Sequence, residues 1–145
     1  MIENADEETH ALLHALDNDN NSNIVKLSNS KIKSMKNNFL QQLQLSRDEL
    51  KLMHMKLKEY RIVDDLSDLQ VGCYLRWIPL KNPDELNLTN GAFVTDYKMY
   101  TSGIVVICRN QYNRFVQIKF DENMMFQKIT DQEKIILSVI EYLNT

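Results

Sequence analysis

The sequence predicts an α+β protein: a five-stranded antiparallel sheet, barrel-like in form, flanked by helices at both ends. Three features predict it. Residues 69–128 hold short runs of β-branched and aromatic residues separated by turn chemistry. Residues 30–60 repeat apolar side chains at the three-and-four spacing of one helical face. A capping box at Thr130-Asp131-Gln132-Glu133 opens a last amphipathic segment.

The elements follow in chain order. Residues 1–29 are acidic and Asn-rich, and read as a flexible tail, because Asp, Asn and Ser side chains compete for the backbone. Ala11, Leu12, Ala15 and Leu16 recur at helical spacing within it, and a helix from Glu7 to Leu16 would be marginal alone. Residues 30–63 form a basic, amphipathic helical region. Ile32, Met35, Phe39, Leu40 and Leu43 share one face; Ser46-Arg47-Asp48-Glu49 is a capping box; Leu50, Met53, Leu57 and Tyr60 then renew the pattern. An N-terminal helical hairpin broken at Leu45 and Ser46 is the preferred reading. A continuous coiled coil competes with it. Ile32, Phe39, Leu43, Leu50, Met53, Leu57 and Tyr60 fit one heptad register, flawed by Lys36 and Ser46 at seam positions, and such a seam is a device for self-association.

Residues 64–145 read as a small β-domain, of Src-homology-3 size, with a C-terminal capping helix. Asp64-Asp65-Leu66-Ser67-Asp68 is turn chemistry. Val71–Ile78 is the first strand, with Cys73, Leu75 and Trp77 on one side and Tyr74, Arg76 and Ile78 on the other. A loop bracketed by Pro79 and Pro83 runs to the turn at Asn90-Gly91, and Ala92–Lys98 is the second strand. Ile104–Cys108, an unbroken apolar run, is expected to be buried on both faces. In Phe115–Phe120 the alternation sends Val116, Ile118 and Phe120 to the core and Phe115 and Gln117 away from it. Met124–Lys128 is the fifth strand. Ile135, Ile136, Val139, Ile140 and Leu143 then recur on one helical side, expected to close the apolar side of the sheet.

Charge is segregated along the chain. Residues 1–25 carry six acidic side chains and no Lys or Arg, whereas residues 26–63 carry nine basic and three acidic ones. The longest apolar run is too short to span a bilayer, so no membrane role is expected. Nothing resembles a signal peptide, and two cysteines make no disulfide framework. The expected setting is reducing and intracellular, cytoplasmic or nuclear, and not secreted.

The search for chemistry yields no catalytic or cofactor constellation. His10 and His14 lie four apart near Glu7 but have no third ligand at a characteristic spacing, and His54 reads as a surface residue. Cys73 and Cys108 fall in predicted strands, as inert buried thiols rather than nucleophiles. Asp96, Asp121 and Glu122 read as solvated turn carboxylates. Three glycines in all exclude the usual phosphate-binding loops. No metal and no cofactor is therefore expected.

Two binding surfaces are candidates. Lys31, Lys33, Lys36, Lys51, Lys58 and Arg61, on the helices, would contact a protein partner or neutralise phosphates of a nucleic acid. Tyr74, Arg76, Tyr97 and Tyr112 would line a peptide groove on the sheet, with Trp77 either beside them or at the centre of the core.

The stretches Val71-Gly72-Cys73-Tyr74-Leu75-Arg76-Trp77-Ile78, Thr89-Asn90-Gly91-Ala92-Phe93 and Gln117-Ile118-Lys119-Phe120-Asp121-Glu122-Asn123, followed by Phe126-Gln127-Lys128-Ile129-Thr130, resemble short uncharacterised proteins of large nucleocytoplasmic DNA viruses. The resemblance covers about half the chain, is structural in its motifs, and implies a virion-associated or DNA-associated role. The expectation is thus a non-catalytic interaction or assembly protein that self-associates or binds a protein through residues 31–60. A nucleic-acid-binding protein using the lysine-rich helices is the alternative, and an enzyme without a recognisable motif the third.

Overall fold

The structure is a computed structural model that describes residues 2–144, with side chains from Glu7 onward. Helix α1 spans Ile2–Asp17, α2 Asn29–Gln41 and α3 Arg47–Lys56. Six strands follow: β1 Tyr60–Val63, β2 Tyr74–Pro79, β3 Ala92–Tyr100, β4 Gly103–Arg109, β5 Phe115–Lys119 and β6 Asn123–Lys128. Helix α4, Asp131–Leu143, comes last. The chain divides into two compact units: residues up to Ser34 together with those from Ile129 onward, and Met35–Lys128.

In the first unit the Asn-rich stretch is folded, contrary to the expected flexible tail. Ala15 of α1, Ile24 and Ile32 are buried with Ile136 and Leu137 of α4, and Leu12, Leu27, Ile129 and Ile140 pack around them. Local propensity opposes structure here, but burying this apolar set offsets it. The Asn side chains act as fasteners. Asn21, buried, donates to the Ala15 carbonyl at 2.7 Å and to Gln132 Oε1 at 3.0 Å, and Asn18 reaches the same Gln132 oxygen at 2.9 Å. Helix α4 starts with the predicted capping box: Glu133 N–H donates to Thr130 Oγ1 at 3.1 Å and Thr130 N–H to Glu133 Oε1 at 3.0 Å. Ile136, Leu137 and Ile140 of this helix thus pack on α1 and the segment after it, where the sequence reading has the stripe closing the sheet, and Leu143 is exposed.

The second unit is a helical hairpin and a mixed-order sheet. The break between the helices falls where it was expected, with Gln44 at φ 54 and Ser46 capping α3 through Glu49. This excludes the continuous coiled coil. The sheet order is β1-β6-β2-β3-β4-β5, all neighbours antiparallel. It holds six strands rather than five and is open, with β1 and β5 as its edges. The extra strand is Tyr60–Val63, which the sequence pattern places in the helical region. Its β-branched Ile62 and Val63 pair with Phe126 and Met125, far along the chain.

The two sheet faces bury different clusters. One holds Val63, Leu75, Trp77, Val94, Val106, Cys108, Ile118 and Met125, and Trp77 is therefore core. The other holds Ile62, Ile78, Met124 and Phe126, covered by Leu40 of α2 and by Leu57, with Phe39, Leu43, Leu50 and Met53 packed against it. Strand β4 is buried on one face only: Val106 and Cys108 are inside, while Val105 and Ile107 are half-exposed. Cys73 lies just ahead of β2 rather than within it, and neither it nor Cys108 is in a disulfide.

Candidate functional site

Lys36 and Arg61 were expected on a contact surface, but both are buried. Lys36 Nζ donates to the Leu57 and Tyr60 carbonyls at 2.7 and 3.0 Å, so its charge satisfies the C-cap carbonyl of α3 and that of the first residue of β1. Arg61 lies 3.7 Å from Asp68 Oδ1 and donates to the Asp68 carbonyl at 3.3 Å. Gln127, fully buried, accepts from Gln70 N–H at 2.8 Å and donates to the same Asp68 carbonyl at 3.2 Å. Together these groups anchor the chain between β1 and β2 to β6. Lys31, Lys33, Lys51 and Lys58 remain exposed. His54, expected at the surface, is half-buried, with Nε2 2.9 Å from Asn37 Oδ1.

The expected peptide groove does not assemble. Tyr74 and Arg76 lie on the face that α2 and α3 partly cover; Tyr74 Oη donates to the Asn90 carbonyl at 2.7 Å and Arg76 Nε to that of Thr89 at 2.8 Å. Tyr97 pairs with Val106 and so belongs to the opposite face. The cause is a register shift in β3 between Val94 and Asp96, a bulge that reverses the alternation beyond it. Tyr112 sits apart, in the turn between β4 and β5.

What the ladder brings together instead is a row across four strands. Tyr74 pairs with Phe93, Phe93 with Arg109, and Arg109 with Phe115. Residues directly opposite in a ladder share a face. The Tyr74 and Phe93 rings meet edge-to-face, centroids 5.0 Å apart at 81°. Phe93 is 51% and Phe115 68% exposed. Parallel to this row run Asp96, Ile107 and Gln117, then Lys98, Val105 and Lys119. Helices α2 and α3 cover this face over β1, β6 and β2, whereas the residues just named on β3 to β5 stay at least partly open.

Sequence reasoning missed Phe93, Arg109 and Phe115 as a group. The signal was the outward assignment of Phe115, an aromatic on the solvent side of a clean alternation; its neighbours across the ladder are fixed by pairing, which a single sequence does not display.

Elsewhere the chemistry is quiet. Burial pushes the Cys108 thiol up to about 12, and burial also raises the Tyr60 phenol, against the opposing charge of Arg76. A cleft of about 410 Å³ beside α3 is lined by Glu49, Met53 and Lys56 and by the 83–88 loop. Among the described residues no group of three or more His, Cys, Asp or Glu is placed to hold a metal, and no helix is long and apolar enough to cross a membrane. No family model, curated protein or solved structure matches the chain.

Proposed function

We propose that this chain is a non-catalytic interaction module that docks its partner on the open half of the sheet face, across β3 to β5. One observation carries the reading: Tyr74, Phe93, Arg109 and Phe115 form a continuous cross-strand row whose last three members are exposed. Scattered surface aromatics need no explanation, but adjoining ones rimmed by charged residues mark contact surfaces. The aromatic and Arg composition is that of binding hot spots. A virion-associated setting remains part of the proposal on the strength of the resemblance alone.

The test replaces Phe115 by a photo-crosslinking benzoylphenylalanine in the cell of origin, with the same replacement at Met55 of α3 as control. Adducts at position 115 well above those at 55 are expected. Adducts at 55 alone would contradict the reading.

A second reading, nucleic-acid binding through the helices, draws support from Lys51, Lys56 and Lys58, which stay exposed in and just after α3. Self-association through residues 31–60 has less apolar surface to use. Leu40 and Leu57 are buried within the fold, and Leu52 and Met55 are the large apolar side chains left exposed between them.

A further inference from the structure

We propose that the partner on this face is a single-stranded nucleic acid, with bases stacked on Phe93 and Phe115 and phosphates met by Arg109, Lys98 and Lys119. The inference rests on reading the open sheet face as the docking surface.

Charge complementarity is the first argument. The chain is acidic overall; on the open face the strands β3 to β5 carry Lys98, Arg109 and Lys119 against Asp96, and Asp121 and Glu122 lie beside Lys119 at its far end. Asp96 is itself engaged by the Tyr97 N–H at 2.8 Å. Glu122 at the rim lies 3.7 Å from Lys119, which leaves Lys98 and Arg109 as the cations with no carboxylate partner among the ion pairs seen. Two cations without a carboxylate partner, Arg109 of them within the aromatic row, favour a polyanion on this face.

Geometry is the second. Phe93 and Phe115 are two strands apart, roughly 9–10 Å, with Arg109 between them. Each ring can take one base while the guanidinium reaches the phosphate that links them or stacks on a base itself. Every base has a π-face, so such a platform needs no pocket. The depression at the far end of the face, beside Ile104, Val105 and Lys119, is only about 90 Å³, far below the roughly 300–1,000 Å³ of a small-molecule site. A duplex keeps its bases stacked on one another and has none to offer these rings, which selects the single strand. The lysines of α3, by contrast, have no exposed aromatic among the residues of that helix.

The experiment is fluorescence anisotropy of the full chain with labelled oligothymidylate and oligouridylate of about twelve nucleotides, inside the ~4–16 nucleotide span of such platforms, and with a duplex of equal length. Binding to a single strand is expected to exceed binding to the duplex and to fall steeply between about 50 and 200 mM salt. Phe93→Ala and Phe115→Ala are each expected to weaken it by about 5- to 150-fold. Arg109→Gln should weaken it and reduce the log–log salt slope by about 0.7. All three sites are exposed, and unchanged melting temperatures show that loss of binding is not loss of fold.

No binding of either strand at low salt, or binding by both Phe variants as tight as the wild type's, overturns the inference. So does loss of binding in Lys51→Glu/Lys58→Glu with the Phe variants unaffected. If oligonucleotides fail while a protein crosslinks at position 115, the inference falls, the docking reading stands, and the partner is a peptide or protein. If both experiments fail, both fall.

Discussion

Gly91→Ala tests how β2 and β3 are brought together to form the aromatic row. Gly91 has φ +97, and a Cβ built there would lie 2.5 Å from the Leu75 carbonyl oxygen, 2.7 Å from Tyr74 Cε2 and 2.9 Å from Arg76 Cγ. The carbonyl belongs to the backbone of β2 and has no rotamer to move into. Gly72 supplies the control: its φ is +95, but a Cβ there would meet nothing within 4 Å. Gly72→Ala should therefore cost only the left-handed backbone penalty, about 1–2 kcal/mol. Gly91→Ala should add an overpacking cost of about 1–3 kcal/mol, for a total near 2–5 kcal/mol. Against a total stability of about 5–15 kcal/mol that is a large loss. Urea unfolding of both variants measures the difference from the midpoints, provided the slopes agree. Equal costs for the two substitutions would refute the claim that β2 and β3 approach each other closely at Gly91.

Other expectations concern buried groups. Lys36→Met removes the donor to the Leu57 and Tyr60 carbonyls and should destabilise by about 3–6 kcal/mol, since bonds from a charged group contribute ~1.5–3 kcal/mol each. Lys33→Met, at an exposed site, should stay within about 0.5 kcal/mol, and similar losses in the two would contradict the burial of Lys36. Cys108 titrates at about 12 in the fold against a reference of 9.0, so the folded state favours the neutral thiol. That contribution is complete below pH 9 and is lost as pH rises towards 12. Comparing the pH dependence of stability with that of Cys108→Val should show the wild type losing more in that window. In the folded protein a thiol reagent should modify half-exposed Cys73 well before buried Cys108; equal rates would count against the core described above.

Much of the fold was legible because its signals are local. Ser46 and Glu49, and Thr130 and Glu133, announce helix starts through side-chain caps that four residues suffice to encode. The alternation in Phe115–Lys119 fixed which side of β5 faces inward. The parts that were not legible depend on distant pairing. Tyr60–Val63 becomes a strand because β6 lies beside it, more than sixty residues on. The stripe on α4 says that the helix covers apolar surface, but nothing in it says that Ala15 and Ile24 supply that surface. Lys36 and Arg61 look like a basic face until the carbonyls and carboxylate around them are seen. The site was hidden by the bulge after Val94. Simple alternation groups Tyr97 with Phe93, whereas the observed register sends Tyr97 to the far face and aligns Phe93 with Arg109 and Phe115.

The most direct test of the binding face is an amide chemical-shift map of the full chain titrated with single-stranded oligothymidylate. The account predicts that the largest changes cluster at Phe93, Arg109, Phe115 and Gln117, with the Lys51–Lys58 amides undisturbed. Changes confined to Lys51–Lys58, with the β3–β5 face silent, would contradict it.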